Sequence, residues 1–222
     1  MDKLSPVLKE TFRLLGVKEP DYELLQKAEE IHTHLKKICM PKTLSAGTEL
    51  ILADNSVCIG GYTTESKNLY GLLKNSRYVY VMASTLGYQA DRYISELQLK
   101  DMADAVIADA CASAMADILC DEEEGRIAAS LDESEFMTMR FSPGYGDVPL
   151  DMSEAILNIL NAQKRAGITM TASSMLLPVK SVTAVIGISD KKQNRFKSCS
   201  CCSIRETCIY RKRGDICGTG NK

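Results

Sequence analysis

The sequence predicts an α+β fold, a mainly antiparallel sheet with packed helices, followed by a small Cys-rich C-terminal extension. Three observations carry that expectation. Strand and helix periodicities alternate along the chain, yet several strands read as hairpin-linked rather than joined by crossover helices. No internal repeat or low-complexity linker interrupts the first 190 residues. Beyond them the composition shifts to Lys, Arg and Cys, which divides the chain into a domain over 1–190 and a basic Cys-rich tail over 191–222.

In order, apolar residues at Leu4, Leu8, Phe12 and Leu15 mark a helix that stops at Gly16, a C′ glycine. A second helix over 22–39 carries Leu24, Leu25, Ala28, Ile31, Leu35 and Ile38 on one face. His32 and His34, the only histidines, stand two apart and cannot face one metal from a helix, so they are surface or boundary residues. Residues 49–59 read as two strands folded over Asp54-Asn55. Thr64 is the expected cap of a short helix through Lys74. The β-formers of 77–83 make a strand buried on both faces. After a helix carrying Ala90, Tyr93, Ile94 and Leu97, the longest helix spans about 99–125, with a stripe at Ile107, Cys111, Ala114 and Ile118 and many small residues. On the flank of that stripe Asp117 reads, from the helix alone, as solvated. Asp151 with Glu154 three residues on is a cap signature for a helix ending at Gly167. Strands follow at 168–172 and 181–188.

The stretch Met139-Arg140-Phe141-Ser142-Pro143-Gly144-Tyr145-Gly146 holds the strongest functional signal. Residues 135–141 alternate apolar and polar side chains, with Thr138 and Arg140 on the polar face of a strand. Pro143 ends the strand, and Gly144 and Gly146 permit positive φ and close approach to a ligand. A guanidinium fork takes a carboxylate bidentately, and the Tyr145 ring can face a cation. The outline is that of a small molecule bearing both.

A formal charge of −2 gives no field for nucleic acid or an anionic membrane. No apolar run reaches membrane-spanning length, and the N-terminus lacks a secretory core, so a cytoplasmic, soluble protein is expected. The absence of a phosphate loop or dinucleotide glycine fingerprint weighs against nucleotide phosphates. Of nine cysteines, Cys39, Cys58, Cys111 and Cys120 sit singly in apolar surroundings, whereas Cys199, Cys201, Cys202, Cys208 and Cys217 cluster in the tail. Closely spaced thiolates suit an iron–sulfur cluster, a structural zinc or a redox-active set. Five cysteines without a nearby His favour the cluster slightly over zinc.

Taken together, four stretches resemble the activation domain of cobalamin-dependent methionine synthase. They are Arg140-Phe-Ser-Pro-Gly-Tyr-Gly146, Ser84-Thr-Leu-Gly-Tyr-Gln-Ala-Asp-Arg92, Asp109-Ala-Cys-Ala-Ser-Ala-Met-Ala-Asp117, and Met170-Thr-Ala-Ser-Ser-Met-Leu-Leu-Pro-Val-Lys-Ser-Val182. The resemblance covers roughly residues 70–190. It implies that Arg140 holds the carboxylate of S-adenosylmethionine, that Ser142 and Gly144 present backbone to it, and that Tyr145 lines the pocket. It also recruits Asp117, where family members commonly have Glu, to the amino group or a hydroxyl. An upstream ligand-binding aspartate of longer members has no match here, and residues 188–196, after the last strand, offer no Tyr. No Asp-x-His-x-x-Gly cobalamin motif is present. The resemblance therefore implies a free-standing component of a methyltransferase system in methionine biosynthesis, not a complete synthase. Such a component supports reductive methylation of cob(II)alamin on a partner, either the cobalamin-binding module of a methionine synthase or another corrinoid protein. The tail thiols then become a candidate electron relay in place of a separate redox donor. Two alternatives stand beside this reading: a non-catalytic S-adenosylmethionine-binding docking module, and an iron–sulfur or zinc interaction protein.

Overall fold

The computed structural model describes residues 4–192 and Glu206. A six-stranded, wholly antiparallel sheet forms its centre, in the order β3-β2-β1-β4-β8-β5. The strands are β1 (Lys42–Ala53), β2 (Ser56–Ile59), β3 (Tyr62–Thr64), β4 (Tyr78–Thr85), β5 (Phe136–Met137) and β8 (Ser181–Ser189), with β6 (Thr169–Met170) and β7 (Leu176–Leu177) in a separate ribbon. The β1–β2 hairpin turns over Asp54 and Asn55, both at positive φ, as a two-residue hairpin loop requires. Strand β4 lies between β1 and β8 and is buried on both faces through Val81, Met82 and Ala83, as its sequence predicts.

Helices cover both faces. Val79, Val81 and Val185 pack against α3 (Lys67–Leu73), α6 (Met152–Leu160) and α7 (Ala162–Ala166). Met82, Ala184 and Ile186 face Cys120 and Ile127 of α5 (Met102–Ser130). Beyond α5 a helical layer of α1 (Pro6–Leu15), α2 (Tyr22–Ile38) and α4 (Tyr88–Gln98) forms its own core around Phe12, Leu35, Ala90 and Cys111. The long helix is thus enclosed from several sides. Its small residues, Ala105, Ala108, Ala112 and Ala116 among them, admit helices as well as the sheet, and no single apolar stripe describes it. Asp101 caps it through the amides of Ala103 and Asp104.

Five local expectations are revised. Ser66, not Thr64, caps α3, accepting from the Leu69 amide at 3.0 Å, while Thr64 belongs to β3. Asp151 stands at the start of α6 without a capping bond and instead accepts from the Tyr62 hydroxyl at 2.6 Å. The helix expected to run to Gly167 breaks at Asn161, whose left-handed φ of 51° separates α6 from α7. The strand expected over 168–172 is shorter, since only Thr169 and Met170 pair, with β7. The last revision, in β5, shapes the site. Among the described residues no helix is long and apolar enough to cross a membrane.

Candidate functional site

Regular pairing of β5 with β8 ends at Met137–Ile188 and resumes only at the Phe141–Val185 bridge. One edge advances four residues while the other advances three, so one extra residue is accommodated, as in a β-bulge. Thr138 fills the gap: its amide donates to the Gly187 carbonyl at 2.8 Å and its hydroxyl accepts from the Gly187 amide at 2.8 Å. The extra residue inverts the alternation read from sequence. Thr138 is buried beside Gly187 on the α3 side of the sheet, whereas Arg140 is carried to the α5 side. The two do not share a solvated polar face.

There the Arg140 side chain, 14% exposed, meets three carboxylates of α5. Nη1 donates to Asp121 at 3.0 Å and to Glu124 at 2.7 Å, and Nη2 stands 4.0 Å from Asp117. Positions 117, 121 and 124 share one helix face, so a straight helix presents all three to a single cation. Burial works against the Arg140 charge, but Cys120, ionised only in the alkaline range where a guanidinium itself titrates, together with Glu124 and Asp121 outweighs it and raises its pKa above the ordinary value. Asp117 is 55% exposed at the side chain, and burial raises its pKa despite the opposing pull of Arg140. Burial also lifts the Cys120 thiol to about 11, so it stands beside Arg140 as a neutral group.

Arg140 and Asp117 border a cleft of about 440 Å³. Met139, Phe141, Ser142, Pro143 and Tyr145 form one wall, Ser181, Val182 and Thr183 of β8 another, and Leu150, Ser174 and Leu176 close the sides. Its volume falls within the roughly 300–1,000 Å³ of small-molecule sites. Thr183 donates to Ser153 at 2.9 Å at its base, a bond between two buried hydroxyls. Of the residues singled out by sequence, Arg140, Ser142, Tyr145 and Asp117 therefore converge. Gly144, at φ 87°, gives its amide to the Val148 carbonyl at 2.9 Å and has only its carbonyl left to present. A Cβ there would run into Leu150, so the turn needs glycine. Asp121, Glu124, Ser153 and Thr183 escaped sequence reasoning; the helical spacing from Asp117 was the available signal for the first two. A second cleft of about 400 Å³, between α1, α4 and α5, has no cation in its lining.

The description "Vitamin B12 dependent methionine synthase, activation domain" matches residues 66–213, more than half of the 222. The chain belongs to that family. Its match opens at Ser66, takes in β4, α5 and the whole cleft, and extends into the tail as far as residue 213. Among solved structures, this activation domain is similar to the crystal structure of the MetH reactivation domain bound to AdoHcy. The TM-score is 0.59 and the identity 15%, over 86% of this chain and 78% of that one. At that identity the likeness concerns the fold, which agrees with the α+β sheet and packed helices expected from sequence. No curated protein matches the chain. The tail cysteines Cys199, Cys201, Cys202, Cys208 and Cys217 lie outside the described residues. Among the described residues no group of three or more His, Cys, Asp or Glu could hold a metal ion.

Proposed function

We propose that this activation domain binds S-adenosylmethionine in the Arg140 cleft and presents its methyl group to cobalamin carried by a partner. The observation that carries the reading is the pairing of Arg140 with Asp117 at the cleft's edge. An amino acid zwitterion needs one fixed cation and one fixed anion a few ångströms apart, and Nη2 beside the half-exposed Asp117 supplies both. In this assignment Arg140 takes the ligand carboxylate and Asp117 the ammonium. Ser142 offers polar contacts, the Tyr145 ring faces the sulfonium, and Gly144, just outside the cleft lining, serves the turn that carries both. Family membership and the AdoHcy bound to the structurally similar domain support the ligand's name.

Reduced cobalamin on the partner would supply the nucleophile for the methyl group, with the departing S-adenosylmethionine sulfur keeping the electron pair of the broken bond. The chain's own contribution is positioning: it fixes the sulfonium methyl and leaves the cleft mouth open to a partner. Two exposed apolar side chains, Tyr145 and Leu150, belong to the cleft lining, which suits docking of the cobalamin-binding module of a methionine synthase or a related corrinoid protein. We assign these functions to residues 1–190 and a separate metal-binding or redox role to the thiols of 191–222, with an iron–sulfur cluster or zinc as the candidates.

Mixing the protein with a cobalamin-loaded partner, a one-electron reductant and S-adenosylmethionine tests the reading. The methylcobalamin spectrum should grow only when all components are present. S-adenosylmethionine binding without methyl transfer would leave a docking module, and no binding would remove the assignment. Anaerobic purification with iron, sulfide and zinc analysis decides the tail's content separately.

A further inference from the structure

Tyr145 is 65% exposed, so packing does not fix where its ring stands; the backbone on either side must do so. On one side the segment is tied to the sheet by the two hydrogen bonds between Phe141 and Val185, at 3.0 and 2.9 Å. On the other side it is tied by Asp147. That carboxylate reaches about 80 positions back in sequence to the start of α3 and accepts from the Ser66 hydroxyl, from the Lys67 amide at 2.8 Å and from the Asn68 amide at 3.2 Å. Helix α3 already has a cap in Ser66, which serves Leu69, and it has no acidic residue in its first turn. Asp147 therefore satisfies the two amides that Ser66 leaves open and sets a negative charge against the positive end of the helix. Burial alone would raise its pKa, but the Ser66, Lys67 and Asn68 bonds outweigh that and hold it below the ordinary carboxylate range.

The contact is close as well as polar. Gly146 has φ 59°, and a Cβ on it would collide with the side-chain carboxamide of Asn68. Between the two ties the chain folds on itself, with Gly144 donating to the Val148 carbonyl at 2.9 Å and Val148 donating to the Tyr145 carbonyl at 3.1 Å. Ser142, Pro143 and Tyr145, all of which line the cleft, hang between these anchors.

We propose that Asp147 is a positioning residue for this cleft: its carboxylate latches the Ser142–Tyr145 wall to the start of α3 and thereby sets Tyr145 over the ligand. The proposal rests on the S-adenosylmethionine reading for its effect on affinity, but the latch itself is separable from it. Two measurements divide the cases. First, without ligand, hydrogen exchange at the Gly144 and Val148 amides should quicken about tenfold in Asp147→Asn, which keeps the size of the side chain but loses its charge and one acceptor. Unchanged exchange would overturn the latch whatever the ligand is.

Second, S-adenosylmethionine affinity should fall about tenfold in Asp147→Asn but less than about twofold when the same change is made in Tyr145→Ala. An equal fall in both backgrounds would mean that Asp147 supports the fold generally and does not act through Tyr145. Thermal midpoints of all three variants serve as the control, and Asp147→Glu should restore part of the affinity. Faster exchange in a protein that shows no S-adenosylmethionine binding at all would keep the latch and discard the ligand.

Discussion

Glu123 and Glu124 are adjacent residues on α5 that face opposite tasks. Glu123 is 5% exposed and points at the sheet, where it accepts from Ser45 at 2.6 Å, Thr43 at 2.7 Å and Arg126 at 2.5 Å. Arg126 also donates to the Thr43 hydroxyl at 2.7 Å, so the group closes on itself and joins helix to strand β1. One step along the helix, a rotation of about 100°, carries Glu124 to Arg140 at 2.7 Å. The same side chain thus closes the fold at one position and holds the proposed carboxylate anchor at the next. The difference lies in the partners: hydroxyls of strand β1 and the helix's own Arg126 for Glu123, and for Glu124 a guanidinium brought round from the sheet edge by a bulge.

That contrast is breakable by mutation. Glu123→Ala leaves two half-buried hydroxyls without their acceptor and should cost about 2 kcal/mol in urea unfolding, with the affinity for S-adenosylmethionine of the folded fraction unchanged. A large affinity loss there would dissolve the distinction. Glu124→Gln keeps the shape but weakens the grip on Nη1. Calorimetry should register an affinity loss of about fivefold with a stability change under about 1 kcal/mol. The smallest effect concerns Asp117. Its folded pKa is raised, so its charge, and with it the proposed ammonium contact, is present above that raised value and lost as pH falls through it. Affinity should therefore weaken on acidification at higher pH than for an ordinary carboxylate, by about threefold, and Asp117→Asn should flatten that dependence.

Much of the fold was legible because local chemistry and global structure agree. Positive-φ residues at Asp54 and Asn55 announce the hairpin, Gly16 and Gly167 end their helices, and the β-formers around Val79 and Val81 name a central strand. In the site, Pro143, Gly144 and Gly146 punctuate the turn, and Arg140 and Tyr145 advertise their chemistry. What stayed hidden depends on contacts distant in sequence. Strict alternation put Thr138 and Arg140 on one face, because a single extra residue at a sheet edge has no local signature. Asp147 looks like one more turn residue until α3 is packed beside it, and Asn161 breaks a helix that its neighbours would have continued. Asp121 and Glu124 were findable from their spacing with Asp117, but only once Arg140 was known to face that side of α5.

Arg140, on the α5 side of the sheet, is the proposed carboxylate anchor of an S-adenosylmethionine site. Calorimetric titration of the wild type and Arg140→Ala with S-adenosylmethionine tests it most directly. Removing a charge-assisted fork should lower affinity about a hundredfold, and Arg140→Lys should recover little of it, since an ammonium cannot hold Glu124 and a ligand carboxylate in one plane. Equal affinity in wild type and Arg140→Ala would contradict the claim and move the ligand elsewhere on the protein.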